Sequence, residues 1–468
     1  MQAQQINLIG PAYDDETKPY SAQDTVNWIP QVAEVEGQRS VIALKGAPGA
    51  TARVTGLDGA VRGMWTMAKS GELYVVAGSK FYFVSDAWVA TEIGLVTGSG
   101  RVGMADNGDQ LVMVSGAAGW VYDKADSSFG LITDPDFTGA YTVAFLDQYG
   151  IFDGQNGQFR ISALADFQSF AALDFVTAES SPDPTLAVLV DHRELWIFGS
   201  STVEIWQNTG NPDFPFERNS GVMIERGLGA RYSTAKMDNS VYWVGEDGIV
   251  YAAQGYTPQR ISTHPIEQDL KSSGFTDAFA FTYRDKGHWF YVLTVPGGKT
   301  WVFDAATKMW HRRKTYGLDR WRANAYAYAY GKHLIGDYES GTVFELLDDV
   351  YVDGDSPLVS ERVTQAIHSE QNPIFGNTLE LLFDTGHGST DGSTPTSPVV
   401  EIAWSDDFGR NFGNYRQRSI GAAGQYRKRV LLHGLGRFEN RLFHVRVSDA
   451  VKRDWIATSG RGSAGAYT

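Results

Sequence analysis

Apolar and polar positions alternate along most of the chain in short runs, and the runs come in pairs. Each pair reads as an apolar or aromatic strand, a short glycine-containing turn and a second aromatic strand. Seven such hairpins begin at Leu73, Leu111, Tyr149, Leu195, Val241, Trp289 and His333, separated by 38, 38, 46, 46, 48 and 44 residues. A further strand precedes each hairpin, as in Arg62-Gly-Met-Trp, Val102-Gly-Met-Ala and Val143-Ala-Phe-Leu. Strand–hairpin units repeating at about 45 residues predict the blades of a β-propeller, each needing neighbours to bury its two faces. About seven units are legible, with six possible, because the last has no obvious outer strand after Phe344-Glu-Leu-Leu. Either Ser40-Val-Ile-Ala-Leu or Ala52-Arg-Val-Thr is expected to supply that strand and close the ring.

The flanking sequence divides around this repeat. Residues 1–45 hold Pro11, Pro19 and Pro30 without a period and read as an extended N-terminal arm. The propeller is expected over 46–350. An acidic break (Asp348, Asp349, Asp353, Asp355, then Pro357) follows, and 351–458 reads as a β-sandwich-like C-terminal domain with an exposed loop over 384–398. Residues 459–468 read as a flexible tail.

Composition agrees with an all-β chain. Its 468 residues include 51 Gly, 22 Tyr, 25 Phe and 13 Trp, the glycines suiting turns and the aromatics pleated surfaces. No apolar run approaches the roughly 20 residues that span a bilayer. The first residues lack the basic head and apolar run of a secretory signal, so synthesis in the cytoplasm of the producing cell is expected. Cysteine is absent, which excludes disulfides, cysteine zinc sites, thiol nucleophiles and iron–sulfur clusters.

Charge adds a second division. The net charge is −15, unlike a protein whose main task is to grip nucleic acid. Yet residues 409–453 carry eleven Lys or Arg against Glu439 and Asp449, so this tract is +9 and the remainder −24. Arginine suits fork-like contacts with carboxylate or phosphate, and Arg427, Lys428, Arg429, Arg437, Arg441 and Arg446 are the expected docking surface.

Motifs for enzymatic chemistry are weak. Gly98-Ser-Gly-Arg-Val-Gly has the letters of a dinucleotide fingerprint, but a strand follows where a helix would have to receive the pyrophosphate. Gly298-Lys-Thr lacks the first glycine of a phosphate loop, and the nine histidines have no metal-ligand spacing. Asp353-Gly-Asp suits an acidic linker better than a calcium site. Ser405-Asp-Asp-Phe-Gly-Arg-Asn-Phe has the form of an Asp-box, in which Ser and Asp satisfy the donors of a tight hairpin. No catalytic residue, cofactor or metal is expected.

Several stretches together resemble the packaged-DNA stabilisation proteins that form the tail hub or nozzle of short-tailed phages. They are Thr25-Val-Asn-Trp-Ile-Pro, Gly98-Ser-Gly-Arg-Val-Gly-Met-Ala, Ile197-Phe-Gly-Ser-Ser-Thr-Val-Glu-Ile-Trp, Trp404-Ser-Asp-Asp-Phe-Gly and Arg437-Phe-Glu-Asn-Arg-Leu-Phe-His-Val-Arg-Val. The resemblance implies a structural virion protein of the tail, in a six-copy ring below the portal and its adaptor. Such a ring continues the DNA channel and retains packaged double-stranded DNA until ejection. It also implies contacts with the portal adaptor, with tail fibres or tailspikes, and with a tail needle or plug. The alternative is a carbohydrate-binding or sialidase-like propeller, motivated by the Asp-box and the 13 tryptophans.

Overall fold

The computed structural model describes residues 4–154, 157–177, 183–370, 372–388 and 395–465. Strands near the middle of each blade are covered on both faces, so they are continuously apolar. Leu73–Ala77 is buried at all five positions, while the outer strand of the same blade, Ala90–Leu95, has no buried position. Turns between strands close tightly. At Gly78 (φ +55°) a Cβ would lie 1.6 Å from the Asp58 carbonyl oxygen, so only glycine fits.

Among the described residues these hairpins build seven four-stranded antiparallel blades, spanning 61–95, 103–131, 143–177, 185–224, 235–260, 279–313 and 323–347. The seventh blade takes its outer strand from the other end of the propeller. Gly49–Val54 pairs antiparallel with Val343–Leu347 and closes the ring. Of the two expected closing segments, Ala52-Arg-Val-Thr is therefore the one used. Seven apolar cores lie between successive blades, the last joining Ala325, Ala327 and Leu334 to Val61, Met64 and Val75. The helix His264–Ser273, unannounced in the sequence pattern, follows blade 5 and buries Ile266 and Leu270 in the core shared with blade 6.

Beyond the propeller is a two-sheet sandwich. One sheet orders Trp28–Val32, Ile42–Gly46, Trp455–Ala464, Ile374–Phe383 and Val430–Phe438, with Gln4–Gln5 also paired to Trp455–Ala464. The other runs Ala22–Val26, Ser360–Val363, Asn440–Val447, Val399–Ser405 and Arg416–Ser419. Trp28, Leu44, Leu379, Leu381, Phe443, Val445 and Trp455 fill the space between them.

Two expectations are corrected here. The extended arm expected over 1–45 is, from residue 4 on, part of the sandwich, because Leu8, Trp28 and Leu44 are fully buried in its core. Residues 459–464 are not a loose tail, since Trp455–Ala464 lies between two partners in the sheet; residues 466–468 lie outside the described residues. Arg362 fastens the N-terminal segment. Fully buried, it donates to the carbonyls of Leu8 and Pro11, to Thr25 Oγ1 and to Gln23 Oε1. The two parts of the molecule also share a sheet, because Ala22–Val26 runs parallel to Met309–Arg313, the outer strand of blade 6.

Candidate docking surface

The basic tract folds into the strands Arg416–Ser419, Val430–Phe438 and Asn440–Val447 and the loops joining them. Its six expected docking residues separate into three environments. Arg441 is buried: its guanidinium makes a bidentate pair with Asp406 (2.6 Å to each oxygen) and lies 4.3 Å from the Phe438 ring centroid. Arg429 pairs with Glu380 through two 2.7 Å bonds, and these hold the Glu380 carboxyl below its ordinary range. Arg446 donates to Glu401 (2.8 Å) and stacks 4.6 Å over Tyr415.

Arg427, Lys428 and Arg437 are exposed and make no ion pair among the described residues. Arg427 and Lys428 lie in the loop before Val430–Phe438, beside Tyr426, which is 71% exposed. Arg437 stands at the far end of that strand, about 20 Å away at the usual rise per residue. The six residues thus form no single surface. A count of charge along the tract misses this, because Glu380, Glu401, Asp406 and Asp384 neutralise it from outside or across strands.

The Asp-box is consumed by its own hairpin. Ser405 Oγ donates to Asp407 Oδ1 (2.6 Å) and accepts from the Gly409 amide, while Asp407 accepts from the Asn411 amide (2.9 Å). The Ser405 hydroxyl and the Asn411 donors pull the Asp407 carboxyl down to about 2. The loop expected over 384–398 is described only in part: Asp384 binds Lys452, and residues 389–394 lie outside the described residues.

A second group of arginines, missed in the sequence, closes the axis of the propeller. Arg101, preceding the first strand of blade 2, donates to the carbonyl of Asn324 in blade 7 (2.7 Å) and stacks 3.8 Å from the Phe279 ring centroid in blade 6. Burial pulls its guanidinium down to about 10. Arg231, preceding blade 5, pairs with Asp153 of blade 3 (2.7 Å) and lies 4.0 Å over Tyr141. Burial pushes the Asp153 carboxyl up to about 6, against the opposing pull of the Thr142 amide and Arg231. These contacts skip over neighbouring blades and so cross the central opening. The Gly98-Ser-Gly-Arg motif is the turn that delivers Arg101, and the strand Gly103–Asp106 follows it.

Residues 4–351 match the family model described as bacteriophage P22 Gp10, β-propeller, and residues 360–460 the one described as bacteriophage P22 Gp10, β-sandwich. The chain belongs to the bacteriophage P22 Gp10 family. A curated relative, "Tail hub protein gp10" of Salmonella phage P22, is 24% identical over 440 residues, covering 86% of this chain and 88% of the relative. Solved structures with similarity include the WD40 β-propeller domain of Doa1 (11% identical, TM-score 0.43, 64% of this chain and 97% of that chain). Another is the computationally designed Ika8 protein (12% identical, TM-score 0.39, 64% of this chain and 99% of that chain). The P22 Gp10 family model for the propeller includes residues 4–46, the segment that the structure lays into the sandwich.

Proposed function

We propose that this chain is a tail hub protein of a short-tailed phage, a non-enzymatic virion component. In this reading copies join in a six-fold ring below the portal and its adaptor, continue the DNA channel and hold the packaged genome until ejection. One observation carries it: both parts of the chain match the two P22 Gp10 domains in order, across 4–351 and 360–460. The crossed axis of the propeller supports it further. With Arg101 and Arg231 bridging the opening, the duplex has its path along the axis shared by the copies. An acidic chain of net charge −15 repels DNA phosphates and lets the duplex slide. Docking onto the adaptor falls to the unpaired cations of the sandwich, Arg427 and Lys428 with Tyr426 beside them. Fibres or tailspikes and a distal plug complete the expected contacts.

The test is electron microscopy of the purified protein, alone and mixed with DNA-filled, tail-less particles. A six-fold ring seated on the portal vertex and stopping DNA loss is expected. Lone propellers that never engage the vertex would overturn the reading. The double reversal Arg427→Glu/Lys428→Glu should fold normally and lose attachment; normal attachment would remove those residues from the interface.

A further inference from the structure

On the face where the first and second strands of each blade are joined, an open cleft of about 720 Å³ lies between blades 6 and 7. Its wall is aromatic. The Tyr326 hydroxyl lies 2.8 Å from His333 Nδ1, and the Tyr328 ring centroid is 4.9 Å from that imidazole, so three rings brace one another. Tyr328 nevertheless remains 53% exposed. Trp289 and Arg284 reach only the rim of the cleft, from the face of the blade 6 hairpin that is turned toward blade 5, with the guanidinium 5.4 Å from the indole ring. At the end of the first strand of blade 6 is Asp285. Its neighbour Lys286 is committed to Asp348 (2.7 Å), and the Asp285 carboxylate accepts no hydrogen bond among the described residues.

A half-buried carboxylate without donors, facing exposed rings, calls for a ligand that is apolar on one face and rich in hydroxyl donors along its edge. We propose that the cleft binds a hexopyranose unit of a polysaccharide chain. The axial C–H face of the sugar lies on Tyr328, and two vicinal hydroxyls donate to Asp285. The open ends of the cleft accept a unit within a longer chain. A proline-rich peptide would cover the rings but leave Asp285 without donors. A smaller cleft of about 350 Å³ between blades 4 and 5 repeats the plan with Asp191, Trp196 and Tyr256. There the carboxylates are already taken, Asp191 by His192 (2.7 Å) and Glu194 by the Tyr256 hydroxyl (2.6 Å). The inference rests on the isolated chain and stands apart from its place in a tail.

Saturation-transfer NMR of the full chain with maltohexaose, an α-mannan oligosaccharide and a β-galactan oligosaccharide tests it. Transfer to pyranose C–H protons of at least one is expected. Tyr328→Ala and Asp285→Asn should each weaken it at least tenfold, while Tyr256→Ala leaves it unchanged. Circular dichroism establishes that the variants fold, and both substituted groups reach solvent. Silence with all three sugars, binding indifferent to Tyr328→Ala, or binding of a proline-rich decapeptide in their place would overturn the proposal.

Discussion

Arg362, Arg441 and Arg453 are basic residues used as internal ties, and each is buried among acceptors. Arg453 reaches the carbonyls of Tyr351, Leu358 and Asp449, joining the end of the propeller to the sandwich. Nothing in their neighbouring letters separates these arginines from the exposed Arg427 and Arg437, since partners decide the role and the partners lie far off in sequence. His311 is another residue whose setting the sequence conceals. It is fully buried in the outer strand of blade 6, neither ring nitrogen has a protein partner, and burial pulls its pKa down to about 3 from an ordinary 6.5. The folded state therefore binds fewer protons than the unfolded chain between about pH 3 and 6.5. Stability from this group is complete above that window and is lost as pH falls through it. Replacing the imidazole by a ring of similar shape removes both the slope and the unsatisfied nitrogens. His311→Phe should thus gain on the wild type as pH drops from 7 to 4, read as melting temperatures across pH; parallel profiles would contradict the assignment.

Hairpins of the blades were legible because their strands carry a period of two or continuous apolar runs, with glycine between them. The N-terminal strands were not legible, for a physical reason. Trp28–Val32 contains Pro30, which a central strand would not tolerate, but this strand lies at the edge of its sheet. Its partners come from Ile42–Gly46, and those of the adjoining strand from the other end of the chain. Charge in the basic tract misled in the same way, through carboxylates contributed by other strands. Gly49–Val54 shows how much one element can govern. It sits between Val343–Leu347 and the short strand Val352–Asp353, and a Cβ at Gly49 would lie 2.3 Å from the Val350 carbonyl oxygen. Gly49→Val should loosen ring closure and cost about 3 kcal/mol in urea unfolding. Gly100→Ala, where a Cβ meets open space, is the matched control and should leave the midpoint in place.

At the scale of the whole molecule, the propeller and sandwich are one sheet system and not beads on a linker. The outer strand of blade 6 pairs directly with Ala22–Val26, and the polypeptide passes through the sandwich before and after building the ring. Calorimetry should therefore record a single transition for the full chain, whereas two well-separated peaks would show that the shared sheet does not couple the parts. The pairing of Gln4 with Gly460 and Gln5 with Ser459 has a further consequence. During translation Gln4–Gln5 leaves the ribosome hundreds of residues ahead of its partner, so it waits unpaired while all seven blades are made. The ring itself stays unlatched until Val343–Leu347 arrives to meet Gly49–Val54. The strand Trp455–Ala464 thus completes the sandwich only after every blade has been made. A chain cut short before Trp455–Ala464 lacks the central strand of that sheet and so has neither a finished sandwich nor the surface it would present.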